Sequence, residues 1–294
     1  MTQFIKNGEQ KQGIIFNLPM IFVVLIFIVV PVVGTFVTGL FRDVTFLPEK
    51  FIGLENLKRL LADIHFRDSL IFTILFVLVS VTLEIILGIV FALVLNEKFP
   101  GRGFLRVSVL IPWAIPVAIS ARVWQLIYNF NYGLLNYLSI NLGFSNSPIN
   151  WLGSPIGAFI SIVISDVWKT TPFITIIILA GLSTIPNELY KQSMIDGTNI
   201  LKRFFYITLP LLKPVIVVAL LFRTIDAIRI FDLIYVLTGG GPGGSTTSVS
   251  LYAFKYYLTG DFGYGSAISV FIFLLASILA VLYIKIGNFT EEIQ

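Results

Sequence analysis

Six stretches of this chain are each long and apolar enough to cross a lipid bilayer, and few folds can accommodate so much continuous apolar sequence. A span needs roughly 20 mostly apolar residues to traverse about 30 Å of hydrocarbon. The six lie near Ile14–Leu40, Ser69–Leu95, Phe104–Tyr128, Ile156–Ile185, Leu211–Leu237 and Gly265–Ile286. Composition agrees: 12% of the 294 residues are charged and the mean hydropathy is +0.92, whereas soluble domains carry about 25% charged residues. The fold expected is therefore an all-α membrane protein of six transmembrane helices. The first stretch is too long for the apolar part of a signal peptide. Its Pro31 and Gly34 lead into more apolar sequence, not a small-residue cleavage site, so it reads as a retained helix.

An even number of spans puts both termini on one side of the membrane. Ten Lys and Arg fall on that side, from Lys6 and Lys11 through Lys98, Arg102 and Arg106 to Lys285, against six on the other. In the first outer loop the positive residues are matched by acidic ones, and the second, residues 129–155, carries no charge. Positive loops stay inside, so both termini are expected to be cytoplasmic in a plasma (inner) membrane. The net charge of +4 thus reflects membrane orientation and not nucleic-acid binding. Within the first outer loop, Leu54, Leu57 and Leu61 define one face of a short amphipathic helix, read as packing on the membrane surface.

The inventory excludes much chemistry. There is no cysteine and a single histidine, His65, so thiolate metal sites, iron–sulfur clusters, cysteine nucleophiles and His-based triads have no residues to form them. No G-x-x-x-x-G-K-[ST] motif is present to hold ATP. No catalytic or metal-binding residue and no cofactor is expected in this chain. The glycine run at 239–244 lacks the Lys-Ser/Thr partner of a phosphate loop and follows a span instead of a buried strand.

The longest polar interruption on the cytoplasmic side runs from Asn187 to Pro210. Pro186 breaks the chain at its entry, and Asp196-Gly197 is a turn in which glycine tolerates positive φ and Asp can cap the next helix. Ile200, Leu201, Phe204, Phe205 and Thr208 then share one helical face opposite Lys202 and Arg203. Pro210 is expected to stop this piece, with Pro214 in the first turn of the next span. The pattern describes a helix, a sharp bend, a second short amphipathic helix and a return into the membrane. Composition alone leaves open whether it meets a partner or lies on the lipid surface.

The segment Lys191-Gln192-Ser193-x-x-Asp196-Gly197, continuing through Phe205-x-Ile207-Thr208-Leu209-Pro210-x-x-x-Pro214, resembles the coupling loop of ABC-importer permeases, whose pattern is E-A-A-x-x-x-G followed by I-x-L-P. Two flanking stretches, Asp166-x-Trp168-Lys169-Thr170-Thr171-Pro172-Phe173 and Phe231 through Gly239-Gly240-Gly241-Pro242, resemble the carbohydrate branch of that family, the maltose-type permeases. The resemblance is collinear from about residue 69 onward. It implies a division into residues 1–68 (tail, first helix, outer loop), 69–287 (a five-helix transmembrane domain of type I importers) and 288–294 (cytoplasmic tail). It also implies the partners: a second homologous permease, two ATPase subunits that use ATP and Mg, and an extracellular solute-binding protein docking near Gly239, Gly240, Gly241 and Pro242. The function implied is alternating-access import of a di- or oligosaccharide such as maltose or trehalose, in a subunit that is not itself an enzyme. A polyol phosphate is the alternative substrate class within it.

One departure matters. The acidic residue and two alanines that open the family's loop are Lys191, Gln192 and Ser193 here, while Asp196 and Gly197 match. Lys191 reverses the sign of one expected contact with the ATPase, and Glu188, one turn earlier, can supply part of the lost charge. Phe205 and Pro210 complete the expected coupling residues.

Ionisable groups inside spans are costly and face a bundle interior or an aqueous path. Asp166 and Lys169, three apart, are spaced to pair along one helix face. Arg223, Asp226, Arg229 and Asp232 form a ladder of alternating sign on the fifth span, and Glu84 and Arg122 add single charges elsewhere. These groups, with Trp113, Trp168, Phe222 and Phe231, are candidates to line a path for a polyhydroxylated solute. Mutually neutralising pairs at a subunit interface are the other reading. Asp166 and Asp226 are expected toward the path, and Arg229 and Asp232 as structural pairs nearer the outer mouth. An ion-coupled secondary transporter would use the same carboxylates, but no internal repeat supports it and the cytoplasmic element has no role in it.

Overall fold

A computed structural model describes residues 15–287; Lys6, Lys11, Ile14 and the tail at 288–294 lie outside them. The chain forms two compact units, one of residues 15–62 with 253–271 and one of 63–252 with 272–287. The first unit recruits a segment distant in sequence.

Among the described residues, five helices are long and apolar enough to span: α1 (Ile15–Thr38), α3 (Ile64–Asn96), α7 (Pro155–Thr184), α9 (Ile200–Ile228) and α12 (Phe262–Ile286). Between them lie α2 (Glu55–Ala62), α4 (Arg102–Ala114), α5 (Val117–Ile127), α6 (Leu134–Asn141), α8 (Asn187–Ile195), α10 (Asp232–Leu237) and α11 (Val249–Leu258). The third expected span is not a straight helix: α4 and α5 meet at 94° and count as one span only if the broken pair is joined. The cause is Pro116, which pushes Ile115 into an extended conformation (φ −73°, ψ 132°) and ends α4. The fifth span lies earlier than expected, starting at Ile200 and stopping at Ile228 before irregular backbone at Arg229 and Phe231 and a fresh start at Asp232.

In the second unit α3 and α7 pack along their length and α9 lies against both. Their core gathers Ala92, Ile174, Ile178, Leu182, Leu212 and Ala219. Glycine sets the approach: a Cβ on Gly88 would come 2.5 Å from Ile174 Cγ2, and one on Gly181 would come 2.8 Å from Val215 Cγ2. Small residues at such crossings let helix backbones close in a medium that offers little hydrophobic drive between helices. The helices start on good caps, with Asp63 accepting from the His65 N–H and Ser154 from the Gly157 N–H. Ser and Thr inside the spans satisfy their hydroxyls on carbonyls one turn back, as at Thr73, Ser165 and Thr171.

In the first unit, Phe41–Arg42 and Lys50–Phe51 pair as a short antiparallel hairpin. Its α2 turns Asn56 and Leu60 inward, whereas Leu54 and Leu61 are exposed. Asn56 decides this by donating to the carbonyls of Gly39 and Phe41. On the same helix Arg59 lies 4.1 Å from the Tyr264 ring centroid and pairs with Asp261 at 3.2 Å.

Candidate functional site

The charged residues of α3, α7 and α9 converge on one buried point. Arg223 Nε and Nη2 donate to the two oxygens of Glu84, and Nη2 also to Asp166 Oδ2. Ser80 Oγ lies 2.8 Å from Glu84 Oε1 and 2.7 Å from Asp166 Oδ2, where its single proton serves one carboxylate at a time. Thr170 Oγ1 donates to Glu84 Oε1 at 2.7 Å. The Glu84 side chain is fully buried and that of Arg223 is 3% exposed. Such a group is stable in a low-dielectric interior only because each charge is paired and its remaining lone pairs and protons are used.

From this point a chain of contacts leads outward. Arg223 Nη1 donates to Asp226 Oδ2 at 3.3 Å, and Arg229 Nη2 to Asp226 Oδ1 at 3.1 Å. The side chains of Asp226 and Arg229 are 54% and 69% exposed. They open onto a cavity of about 240 Å³ lined also by Trp113, Thr170, Phe173, Phe222 and Arg223. Trp113 and Phe173 stack with centroids 5.9 Å apart, leaving an aromatic wall beside a carboxylate and a guanidinium. Carboxylate and guanidinium hydrogen-bond hydroxyls, and ring faces bind the apolar faces of sugar rings. Sites that bury a ligand measure roughly 300–1,000 Å³, and this cavity is smaller.

Several expected site residues lie elsewhere. Lys169 does not pair with Asp166. It crosses to the elbow between α4 and α5 and donates to the carbonyls of Ile115 at 2.6 Å and Trp113 at 3.3 Å, acceptors that the broken helix leaves free. Trp168 faces away from the carboxylates. It meets Trp124 edge-to-face and lines a separate, apolar cavity of about 540 Å³ with Leu83, Leu87, Phe91 and Pro172. Asp166, expected toward the path, is buried beneath it, and Arg229 pairs with Asp226 and not with Asp232, which opens α10 at an exposed position. Phe231 stacks on Tyr235 within that turn, and Arg122 meets Gln125 at 2.7 Å. Glu84 is the member that sequence reasoning undervalued. A lone acid in a very apolar helix demands a buried partner, and that was the available signal.

Between α7 and α9, α8 closes on Gly197 (φ +73°), with the Thr198 N–H donating to the Ser193 carbonyl. Two expectations are corrected. The cap of the next helix is Asn199, whose side chain accepts from the Lys202 N–H, and not Asp196. Pro210 does not end the piece, because a π turn at Phe204–Thr208 carries the helix straight into the span. The wider turn relieves the clash that a proline ring makes with the carbonyl four residues back. Glu188, Lys191, Gln192, Asp196 and Phe205 are exposed, as are Ile195 (87%), Ile200 (75%) and Tyr206 (80%), whereas Ser193 turns inward. Tyr190 Oη and Thr208 Oγ1, 3.0 Å apart, tie α8 to α9.

The run at 239–244 is a self-satisfied turn. Gly239, Gly240, Gly243 and Gly244 hold positive φ, and Thr246 Oγ1 donates to the Gly241 carbonyl while lying 2.9 Å from Thr238 Oγ1. The uncharged second outer loop is organised by buried Asn136, which accepts from Trp151 Nε1 and the Ile149 N–H and donates to the Phe130 carbonyl.

Residues 84–287 match the family described as binding-protein-dependent transport system inner membrane component. Among curated relatives, the trehalose/maltose transport system permease protein MalF of Thermococcus litoralis is 56% identical, the alignment covering 99% of each chain. The trehalose transport system permease protein SugA of Mycobacterium tuberculosis is 40% identical, covering 80% of this chain and 75% of the relative. Among solved structures, a bacterial ABC transporter involved in the import of the acidic polysaccharide alginate superposes with a TM-score of 0.84 over 98% of this chain and 99% of that one, at 22% identity.

Proposed function

Since the chain belongs to the family of binding-protein-dependent transport system inner membrane components, we propose that it is the permease subunit of an ATP-driven importer of a neutral di- or oligosaccharide, trehalose or maltose being the first candidates. One observation carries this reading. Helix α9 is continuous over 29 residues, about 43 Å at 1.5 Å per residue, with the exposed apolar knob of Ile200, Phe205 and Tyr206 at one end and the cavity residues Arg223 and Asp226 at the other.

Work enters at the knob. An ATPase subunit that uses ATP and Mg docks on α8 and the start of α9, with Lys191 meeting an acidic group there. Its closure tilts α9, and the tilt reopens the Asp226–Arg229 wall toward the other face of the membrane. Both termini lie on the ATPase side. A second homologous permease supplies the opposite wall of the chamber, a second ATPase copy acts on that permease, and an extracellular solute-binding protein delivers the sugar near residues 239–242. This chain performs no chemistry itself.

The test is uptake of labelled trehalose and maltose into proteoliposomes holding the complete transporter. Uptake is expected only with both ATP and binding protein. Uptake that persists without ATP and follows an ion gradient would sink the reading in favour of a secondary transporter.

A further inference from the structure

Three acids and three bases stand around the cavity. Arg223 is committed to Glu84 and Asp166, Arg229 to Asp226, and Lys169 sits at the elbow, so Glu84, Asp166 and Asp226 balance the three cations. Arg223 borders the cavity yet is 3% exposed, because Glu84 grips it from behind through both carboxylate oxygens. What the cavity presents is a shared carboxylate, Asp226, and its partner Arg229, without a free charge of either sign.

Resting on the importer reading above, we propose that Glu84 is a positioning residue that makes this cavity select uncharged sugars. It acts through Arg223, holding the guanidinium back so that only Nη1 reaches Asp226, whose exposed carboxylate stays open to sugar hydroxyls while an anionic solute finds no unmatched cation. Without the Glu84 charge the assembly gains one net positive charge. Arg223, which already reaches Asp226 through Nη1, is then free to turn more fully onto it, competing with a sugar for that carboxylate and offering an anion a partner.

The experiment bypasses the binding protein, which would otherwise filter the solutes. The complete transporter in detergent is titrated with maltose and with maltobionate, its carboxylate-bearing oxidised counterpart, and binding is followed by saturation-transfer NMR. Wild type is expected to prefer maltose. Glu84→Gln, which keeps the shape and removes the charge, is expected to shift the preference about tenfold toward maltobionate. That is the scale of one unit charge felt across roughly 12 Å at an effective dielectric near 20. Glu84→Asp is expected to keep the neutral preference, and Glu84→Gln combined with Arg223→Gln to restore it, results that a merely structural role would not yield.

An assembled Glu84→Gln complex with unchanged preference overturns the proposal. If it does not assemble, Asp166→Asn makes the same change of charge from α7 and must shift the preference alike. If no variant that removes one of these charges assembles, the cluster is structural alone, which also overturns it. Wild-type complex that binds neither sugar counts instead against the importer reading.

Discussion

Arg223 shows how a single residue can be indispensable without adding net stability. Two carboxylates and one guanidinium removed from water cost more in desolvation than one pair recovers, so the arrangement holds only while complete. Arg223→Leu would leave Glu84 and Asp166 buried and facing each other. The expected loss is about 3–5 kcal/mol, measurable as a lower melting temperature or failed assembly of the purified complex. Arg223→Lys should lose less, since it restores the charge but not the fork that reaches both acids. None of this geometry was legible from spacing, because Glu84 and Arg223 are 139 positions apart. Spacing did suggest Asp166 with Lys169. The elbow carbonyls won that lysine instead, a competition that only tertiary structure reveals.

At the scale of elements, apolar run length located α1, α3, α7 and α12 closely, because lipid imposes that length on any sequence, but it placed both ends of α9 too late in the chain. Direction within a run was less legible. Residues 104–128 read as one span, and Pro116 turned it through 94°. Periodicity reports which residues are apolar, not whether the axis stays straight. The same limit hid the continuity of α9 through Pro210, where a π turn absorbs the proline. Packing between elements yields a sharper expectation. Gly88→Val places methyl groups where Ile174 already lies. Overpacking at such a crossing costs about 1–3 kcal/mol, and thermal unfolding of the complex should register it, whereas Gly103→Ala, with nothing within 4 Å of the added atom, should leave stability unchanged.

On the scale of the whole molecule, the proposed function separates force and recognition along one helix, and their linkage can be weakened without touching either end. The contact between Tyr190 and Thr208 fastens α8 to the start of α9. Tyr190→Phe removes one hydrogen bond, a change of about 1 kcal/mol. Under the proposed function, ATP hydrolysis should continue while sugar carried per ATP falls about fivefold, measured by parallel phosphate-release and uptake assays in proteoliposomes. Equal loss of both activities would place the effect in docking and not in transmission.

The elbow between α4 and α5 has a consequence for how this sequence can change over time. Its two freed carbonyls are fastened by Lys169, a residue more than fifty positions away on another helix. A lineage that loses Pro116 and straightens the segment strands that ammonium among apolar neighbours, and one that loses Lys169 first strands the carbonyls. Neither step is neutral alone, so residues 115–116 and residue 169 should be inherited as a set, leaving a pairwise signature in related sequences that no local pattern would reveal.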